Sequence, residues 1–484
     1  MGCHDRPMQG RMSEIPMRHS LKPLTLAVVF LMGLLVARSA QARDSLRERI
    51  DAFVRAEQKR MGVPGLAVGV VSHGRVVLAK GYGFANLEHQ VPVGTDTLFQ
   101  SGSVGKMFTA TALMLQVEAG RVSLSDSVTK YFPDAPATWK PITVRHLLTH
   151  TSGIKDLEGL LDERKDYTEQ EFAEFIYKLP LEFPAGLRWN YSNSGYVLLG
   201  LLVNRVAGMT YQEVLARQVF KPAGMKTARG ISEADVIPNR AAGYELVGGV
   251  VKNQQWVSQS LNTTGDGALY FSLKDLLAWE EAVAKRALLT QDSWREVLSP
   301  VKLNSGASQP YGFGWEVLER NGQPLHRHTG SWQGFRTAYS RFLGDELSIV
   351  VLANLDKSNP ALLVEGIAAI VNPALAVPPL KPIPDTEPEV TARLTELLEK
   401  TRQGAWEPSM FAYVPARYFE EAGPYFRSVL QGLGAAGPLV LANRETRGDD
   451  RIYTYLVQFG AATWRYRVGL SPDNRVTLLT LQAN

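Results

Sequence analysis

The chain has 484 residues, 52 Lys and Arg against 48 Asp and Glu, and a single cysteine, Cys3. Five of the basic residues (Arg6, Arg11, Arg18, Lys22, Arg38) and two of the acidic ones (Asp5, Glu14) fall within residues 1–42, so the remainder is nearly neutral and offers no basic run to a nucleic acid. With no cysteine beyond position 3, disulfides, a thiolate nucleophile and a cysteine-ligated zinc are excluded there, and stability must come from hydrophobic cores.

Taken in chain order, residues 1–42 have the three-part pattern of a secretory signal peptide: Arg18 and Lys22, an uncharged run Leu24–Val36, then Ala40-Gln41-Ala42. The run is shorter than the roughly 20 residues that span a bilayer, so the expectation is an exported protein, periplasmic or secreted, with no stable membrane span after cleavage. Leu46, Ile50, Phe53 and Val54 recur at helical spacing, and Gly62 with Pro64 ends that helix. Leu66–Val71 and Val76–Ala79 around Ser72-His73-Gly74 predict a hairpin. Residues 100–290 are mainly helical in pattern; strands return at Phe313–Leu318, Leu325–His328, Phe335–Phe342 and Leu347–Ala353, followed by a helix over Ala361–Val371. Terminal strands and terminal helices each have one apolar side to bury. The fold class expected is therefore α+β: an antiparallel sheet flanked by N- and C-terminal helices, with an inserted helical lobe.

Residues 373–388, PALAVPPLKPIPDTEP, cannot form a helix or a central strand and predict a semi-rigid spacer. The division expected is a catalytic domain over 43–372, the proline-rich linker over 373–388, and a small α+β module over 389–484. In that module helices are expected at Val390–Lys400 and Ala416–Leu430, and strands at Leu439–Asn443, Ile452–Phe459, Thr463–Gly469 and Val476–Leu481.

Four Ser-x-x-Lys pairs occur: Ser103/Lys106, Ser127/Lys130, Ser152/Lys155 and Ser299/Lys302. Only Ser103 opens a long apolar helix, with Met107, Ala110, Leu113, Met114 and Val117 as its buried stripe and Gly120 as its stop. In a first turn the free N–H groups favour developing negative charge, and a lysine one turn on can take the serine proton if burial lowers its pKa. Tyr191 alone among seventeen tyrosines begins a Tyr-x-Asn, in which a phenol can shuttle a proton and Asn193 can hold an amine. His328-Thr329-Gly330 lies on a predicted strand; alternation sets His328 and Gly330 on one face, and the N–H groups of Ser103 and Ser331 can converge on an oxyanion.

The ordered set Ser103-Val-Gly-Lys106, Tyr191-Ser-Asn193 and His328-Thr-Gly330, with flanks LLTHTSGI, FPAGLRWNYSNSGYVLLG and GDGALYFSLKDLLAW, resembles the serine β-lactamase and penicillin-binding-protein family. That family takes in class C β-lactamases, D-Ala-D-Ala carboxypeptidases, D-aminopeptidases and related esterases. The resemblance covers about residues 45–372. It implies Ser103 as nucleophile, Lys106 and Tyr191 as acid/base partners, Asn193 orienting Lys106, and Ser331 completing the oxyanion hole with His328 and Gly330 in support. Asn354 and Trp332 are the implied substrate contacts. It also implies an acyl-enzyme formed on an ester, amide or D-amino-acid peptide, with no cofactor or metal, and a small-molecule or peptide substrate, cell-wall fragments among the candidates. Many antibiotic-directed relatives carry Lys where this chain has His328, so a class C-type β-lactamase stands as the alternative, and a non-catalytic peptidoglycan-binding or ligand-binding paralogue as a second. His328 is expected to meet anionic substrate groups and to lose charge near pH 6.5. The C-terminal segment resembles cystatin-like or nuclear-transport-factor-like modules. An α/β-hydrolase is excluded by the lack of a Gly-x-Ser-x-Gly elbow, and neither His146 with His150 nor His326 with His328 has an acidic third metal ligand nearby in sequence.

Overall fold

Leu66–Val71 and Leu347–Ala353 are nearly unbroken apolar runs, which only strands covered on both faces can bury. In the computed structural model, which describes residues 45–414 and 418–483, they lie side by side at the middle of a seven-stranded antiparallel sheet. The signal-peptide reading falls outside the described residues. The strands are β1 Gly65–Ser72, β2 Arg75–Asn86, β3 Val91–Pro92, β4 Glu316–Arg320, β5 Gln323–Trp332, β6 Phe335–Phe342 and β7 Leu347–Ala353, in the order β4-β5-β6-β7-β1-β2-β3. Register is set by the runs themselves, Leu66 opposite Ala353 and Val70 opposite Ile349, with every residue of β7 buried.

Helix α1 (45–61) precedes the sheet, and α5 (Pro360–Val371) follows it and packs on β6 and β7. The two helices meet where Gly366 lies against the Phe53 ring. Between β3 and β4 stands the helical lobe, with α2 (Lys106–Glu118), α3 (Asn193–Ala207) and α4 (Leu273–Ala284). Leu273 and Leu277 of α4 fill the space over Gly69 of β1. The expected α+β architecture is what the chain adopts. One difference lies in α2, which is buried from Lys106 through Met114 on all sides rather than along one stripe. A helix with apolar residues all round belongs to a core interior, and its threonines are satisfied there: Thr109 donates to Gly265 O (2.5 Å) and Thr111 to Met107 O (2.8 Å).

Residues 50–484 cluster as one compact unit containing separate hydrophobic cores. The C-terminal core is built from α6 (Pro388–Gln403) and α7 (Tyr418–Leu433) against a four-stranded antiparallel meander, β8 Val440–Arg447, β9 Asp450–Phe459, β10 Ala462–Leu470 and β11 Val476–Ala483. Leu394, Leu397 and Leu398 of α6 meet Tyr453, Tyr455, Tyr466 and Val468 of the sheet. The proline-rich segment does not stand off as a free spacer. Ile383 N–H donates to Leu441 O (2.9 Å), and the Glu387 carboxylate takes Arg444 (2.7 Å), Arg451 (3.4 Å) and the Tyr453 hydroxyl (3.0 Å).

Candidate active site

Ser103 is positioned by a short sheet in the lobe, where Phe99–Gln100 pairs with Leu269–Phe271 and Ser101 N–H donates to Leu269 O (2.8 Å). The chain then turns at Gly102, whose φ is +49° and whose missing side chain would strike the Ser331 backbone; glycine alone permits that approach. Gly102–Gly105 forms a 3₁₀ turn and α2 starts only at Lys106. The expected first α-helical turn is thus wound more tightly. With three residues per turn, positions 103 and 106 eclipse one another, and Lys106 Nζ donates to Ser103 Oγ at 2.9 Å.

Lys106 Nζ also donates to Asn193 Oδ1 (2.7 Å) and to the main-chain oxygen of Asp266 (2.6 Å), which accounts for all three N–H bonds of an ammonium. The side chain is fully buried, and burial lowers its pKa to about 8 against the opposing pull of Asp266, Asp156 and Glu158. The carbonyls of residues 265–267 are gripped in series by Thr109, Lys106 and Ser101, so the strand of backbone over the lysine is fixed by the helix beneath it. Asn193 is the first residue of α3; its amide N–H groups reach Asp156 (3.3 Å) and Glu158 (3.4 Å), which orients its oxygen toward Lys106. Asp156 also accepts the Asn193 backbone N–H (3.2 Å) at the positive end of α3. Burial raises the Asp156 carboxyl, and Glu158, open to the cavity yet enclosed by protein, is raised to about 7 by desolvation and by Asp156.

Tyr191 borders the cavity with its hydroxyl buried, and desolvation pushes its pKa well above 10, so it is a phenol and not a phenolate. Its hydroxyl makes no hydrogen bond of ordinary geometry, although Ser103 lies near enough to pull the pKa partly back. The Lys106 Nζ sits 4.9 Å from the Tyr191 ring centre and 5.5 Å from that of Tyr196. On its other side the Tyr191 ring lies against His150, centroids 4.2 Å apart. His150 begins a directed chain. Ser192 N–H donates to His150 Nδ1 (3.1 Å), which leaves the proton on Nε2 for Tyr311 Oη (3.2 Å). Tyr311 then donates to His328 Nε2 (3.0 Å), and His328 Nδ1–H to Thr329 O (2.6 Å).

This chain corrects the reading of His328. Burial lowers its pKa to about 4, outweighing Glu316, and both ring nitrogens are occupied; it is a neutral link behind Tyr311 and not a cation for substrate. Asn354 is corrected as well. It is fully buried, its oxygen accepts Gly65 N–H (2.6 Å) and its nitrogen donates to Phe84 O (3.1 Å) and Ala242 O (3.0 Å), so it ties β1, β2 and β7 together away from the cavity. Gly330 serves packing, because a side chain there would strike Ser101 O and Thr337 Oγ1. Ser331 and Trp332 do border the cavity. The other serine candidates are engaged with local backbone: Ser127 caps a turn through Thr129 N–H, Ser152 accepts Ile154 N–H, and Ser299 donates to Arg295 O.

A cavity of about 860 Å³ opens over Ser103. Besides the three motifs it is bordered by Glu158, Arg336 and Tyr311, which sequence reading did not single out, and by residues 447–450 of the C-terminal module. Asp266 acts through its main chain and Asp450 through tertiary contact, and neither leaves a mark in residue type or spacing. The Tyr311-Gly-Phe-Gly-Trp string, two glycines between aromatics, is the local signal from which a tight aromatic turn could have been read. Among the described residues no cluster of three His, Cys, Asp or Glu is placed to hold a metal, and no helix is long and apolar enough to cross a membrane.

Residues 50–370 match the family described as Beta-lactamase. The sequence is 28% identical over 303 residues to penicillin-binding protein 4* of Bacillus subtilis, an alignment covering 59% of this chain and 66% of that protein. It is 29% identical over 342 residues to a D-aminopeptidase of Brucella canis, covering 69% of this chain and 64% of that protein. The chain therefore spans under two thirds of the length of these relatives. In structure it is similar to an octameric penicillin-binding protein homologue from Pyrococcus abyssi, with TM-score 0.61 and 21% identity over 90% of this chain and 98% of that one. A penicillin-binding protein from Bacillus halodurans aligns with TM-score 0.59 and 26% identity over 65% and 99%.

Proposed function

The chain belongs to the beta-lactamase family and is similar to penicillin-binding proteins and D-aminopeptidases; from that premise we propose that it is a serine hydrolase working through an acyl-enzyme on Ser103, its substrates being esters and amides of amino acids or short D-amino-acid peptides. The observation that carries the chemistry is the buried Lys106, 2.9 Å from Ser103 Oγ and tuned toward neutral pH. In its neutral form the amine takes the Ser103 proton as Oγ bonds to the substrate carbonyl carbon. The carbonyl oxygen becomes an oxyanion facing the N–H groups of Ser103 and Ser331. When the C–N or C–O bond breaks, the leaving amine or alkoxide takes a proton through Tyr191, which the lysine replenishes. Water, deprotonated by the same pair, then cleaves the acyl ester and returns the proton to Ser103.

Substrate class follows from the charges beside the nucleophile. Glu158, ionising near neutrality at the cavity wall, suits a substrate ammonium, and Arg336 on the same cavity suits a carboxylate. The third motif supplies no cation, since His328 is neutral, which favours small esters and amino-acid amides over β-lactams. The name of the Brucella relative, a D-aminopeptidase, supports a D-amino-acid preference. Export through residues 1–42 belongs to the same reading; N-terminal sequencing of protein recovered outside the cytoplasm should begin near Arg43. The test of the whole is to incubate the purified protein with a fluorophosphonate probe, p-nitrophenyl esters, nitrocefin and D- and L-amino-acid amides. Labelling with turnover of esters and D-amides is the expected result. A protein that neither labels nor turns over any of them is a binding relative and not an enzyme.

A further inference from the structure

The far wall of the catalytic cavity belongs to the C-terminal module. The β8–β9 hairpin turns at Gly448–Asp449, and Arg447, Asp450 and Arg467 border the same 860 Å³ space as Ser103. The hairpin is held in place on the lobe: Gly448 N–H donates to Ser308 O (3.1 Å), Ser305 Oγ to Asp449 (2.9 Å), and Asp450 pairs with Arg188 while accepting Thr477 Oγ1–H (2.8 Å). On this wall Glu316 is committed to Arg327 (2.9 Å). Arg447 (3.2 Å) and Arg467, by contrast, share the single carboxylate of Glu445. Two guanidiniums with five N–H donors each, their side chains 37% and 28% exposed, share one carboxylate between them. Arg447 has its pKa lowered by partial burial and by Arg467.

We propose that Arg447 and Arg467 form a distal subsite for a carboxylate on the substrate, so that the C-terminal module selects acidic substrates for the chemistry at Ser103. A carboxylate accepting from both arginines supplies the missing second anion and displaces only solvent. The subsite rests on the acyl-enzyme reading for its catalytic consequence but not for its binding.

The test uses the full-length protein and p-nitrophenyl monoesters of α,ω-diacids from glutarate to azelate, each compared with its methyl-capped diester. Wild type should favour the free acid at the chain length that bridges Ser103 and the arginines. The ratio of kcat/KM, acid over methyl ester, should fall about tenfold in Arg447→Met and in Arg467→Met, the scale of one charge-assisted hydrogen bond, and less in Arg447→Lys, which keeps the charge. A wild-type ratio near one at every length, or the same ratio in wild type and both Met variants, overturns the subsite. Should the wild type hydrolyse none of the esters, the acyl-enzyme reading fails by itself. Calorimetric binding of the azelate dianion then decides the subsite: binding weakened about tenfold in Arg447→Met supports it, and equal binding in wild type and variant overturns it.

Discussion

An amine with a pKa of about 8 is roughly one-tenth neutral at pH 7, and only that fraction can accept the Ser103 proton. For a neutral p-nitrophenyl ester, kcat/KM should therefore rise with pH through about 8 and level off above it; a profile flat from pH 6 to 9 would remove Lys106 as the base. The ester must lack an amine, because Glu158 titrates near 7 and a substrate ammonium would fold its own ionisation into the curve. Ser103→Ala should abolish probe labelling and turnover, and Lys106→Ala and Tyr191→Phe should each lower kcat by on the order of 10²–10⁴, read by burst-free steady-state assays. Labelling that persists in Ser103→Ala would move the nucleophile elsewhere. At this scale the sequence was informative where chemistry fixes residue type: Ser103, Lys106, Tyr191 and Asn193 meet around one nitrogen. It misled at Asn354, because a strand-end asparagine looks the same whether it faces substrate or bridges three strands.

Strands with nearly unbroken apolar runs were legible to within a few residues, as at Leu347–Ala353, since burial on both faces demands such runs, and Phe335–Phe342 was legible despite the polar residues inside it. The strand at Glu316–Arg320 was displaced in the reading toward Phe313, whose side chain is a core residue of the preceding turn. What no periodicity discloses is that β5 and the Tyr311 turn meet the His150 segment to form the Ser192–His150–Tyr311–His328 chain behind Tyr191. Tyr311→Phe removes two of its bonds and should lower kcat more than it raises KM, because the loss is in holding Tyr191 and not in contacting substrate. ¹⁵N spectra of the two histidines, with one fixed tautomer each in wild type, should show mixing in the variant; unchanged spectra would deny the chain. His328 also links to stability. Its folded pKa of about 4 lies below the unfolded 6.5, so the unfolded state binds the extra proton and the stability is fully present above 6.5 and is lost as pH falls to about 4. The drop in urea midpoint between pH 7 and pH 4 should accordingly be smaller in His328→Gln than in wild type. An equal drop would mean that His328 titrates normally.

At the scale of the whole molecule, the proline-rich segment predicts a catalytic domain and a C-terminal module on either side of it, and contacts between such distant segments leave no local pattern in the sequence. In the structure the two parts meet at a mostly buried ion pair, Arg188 with Asp450, whose side chains are 10% and 18% exposed. Arg188 stands three residues before Tyr191 and lies 4.8 Å from the centre of the Tyr413 ring, also from beyond the linker. Removing one partner of such a pair strands a charge in low dielectric, whereas removing both strands neither. Asp450→Asn and Arg188→Met should each destabilise by about 3 kcal/mol in urea unfolding, and the double variant by clearly less than their sum. If the pair also fixes the segment that carries Tyr191, both single variants should slow turnover of a neutral ester, and the double variant should recover stability without recovering kcat, because the segment would remain untethered. Additive losses across the cycle would show that the two charges do not interact. A kcat that returns with stability would confine the pair to holding the module in place, and the catalytic domain would then owe it nothing beyond the wall of its cavity.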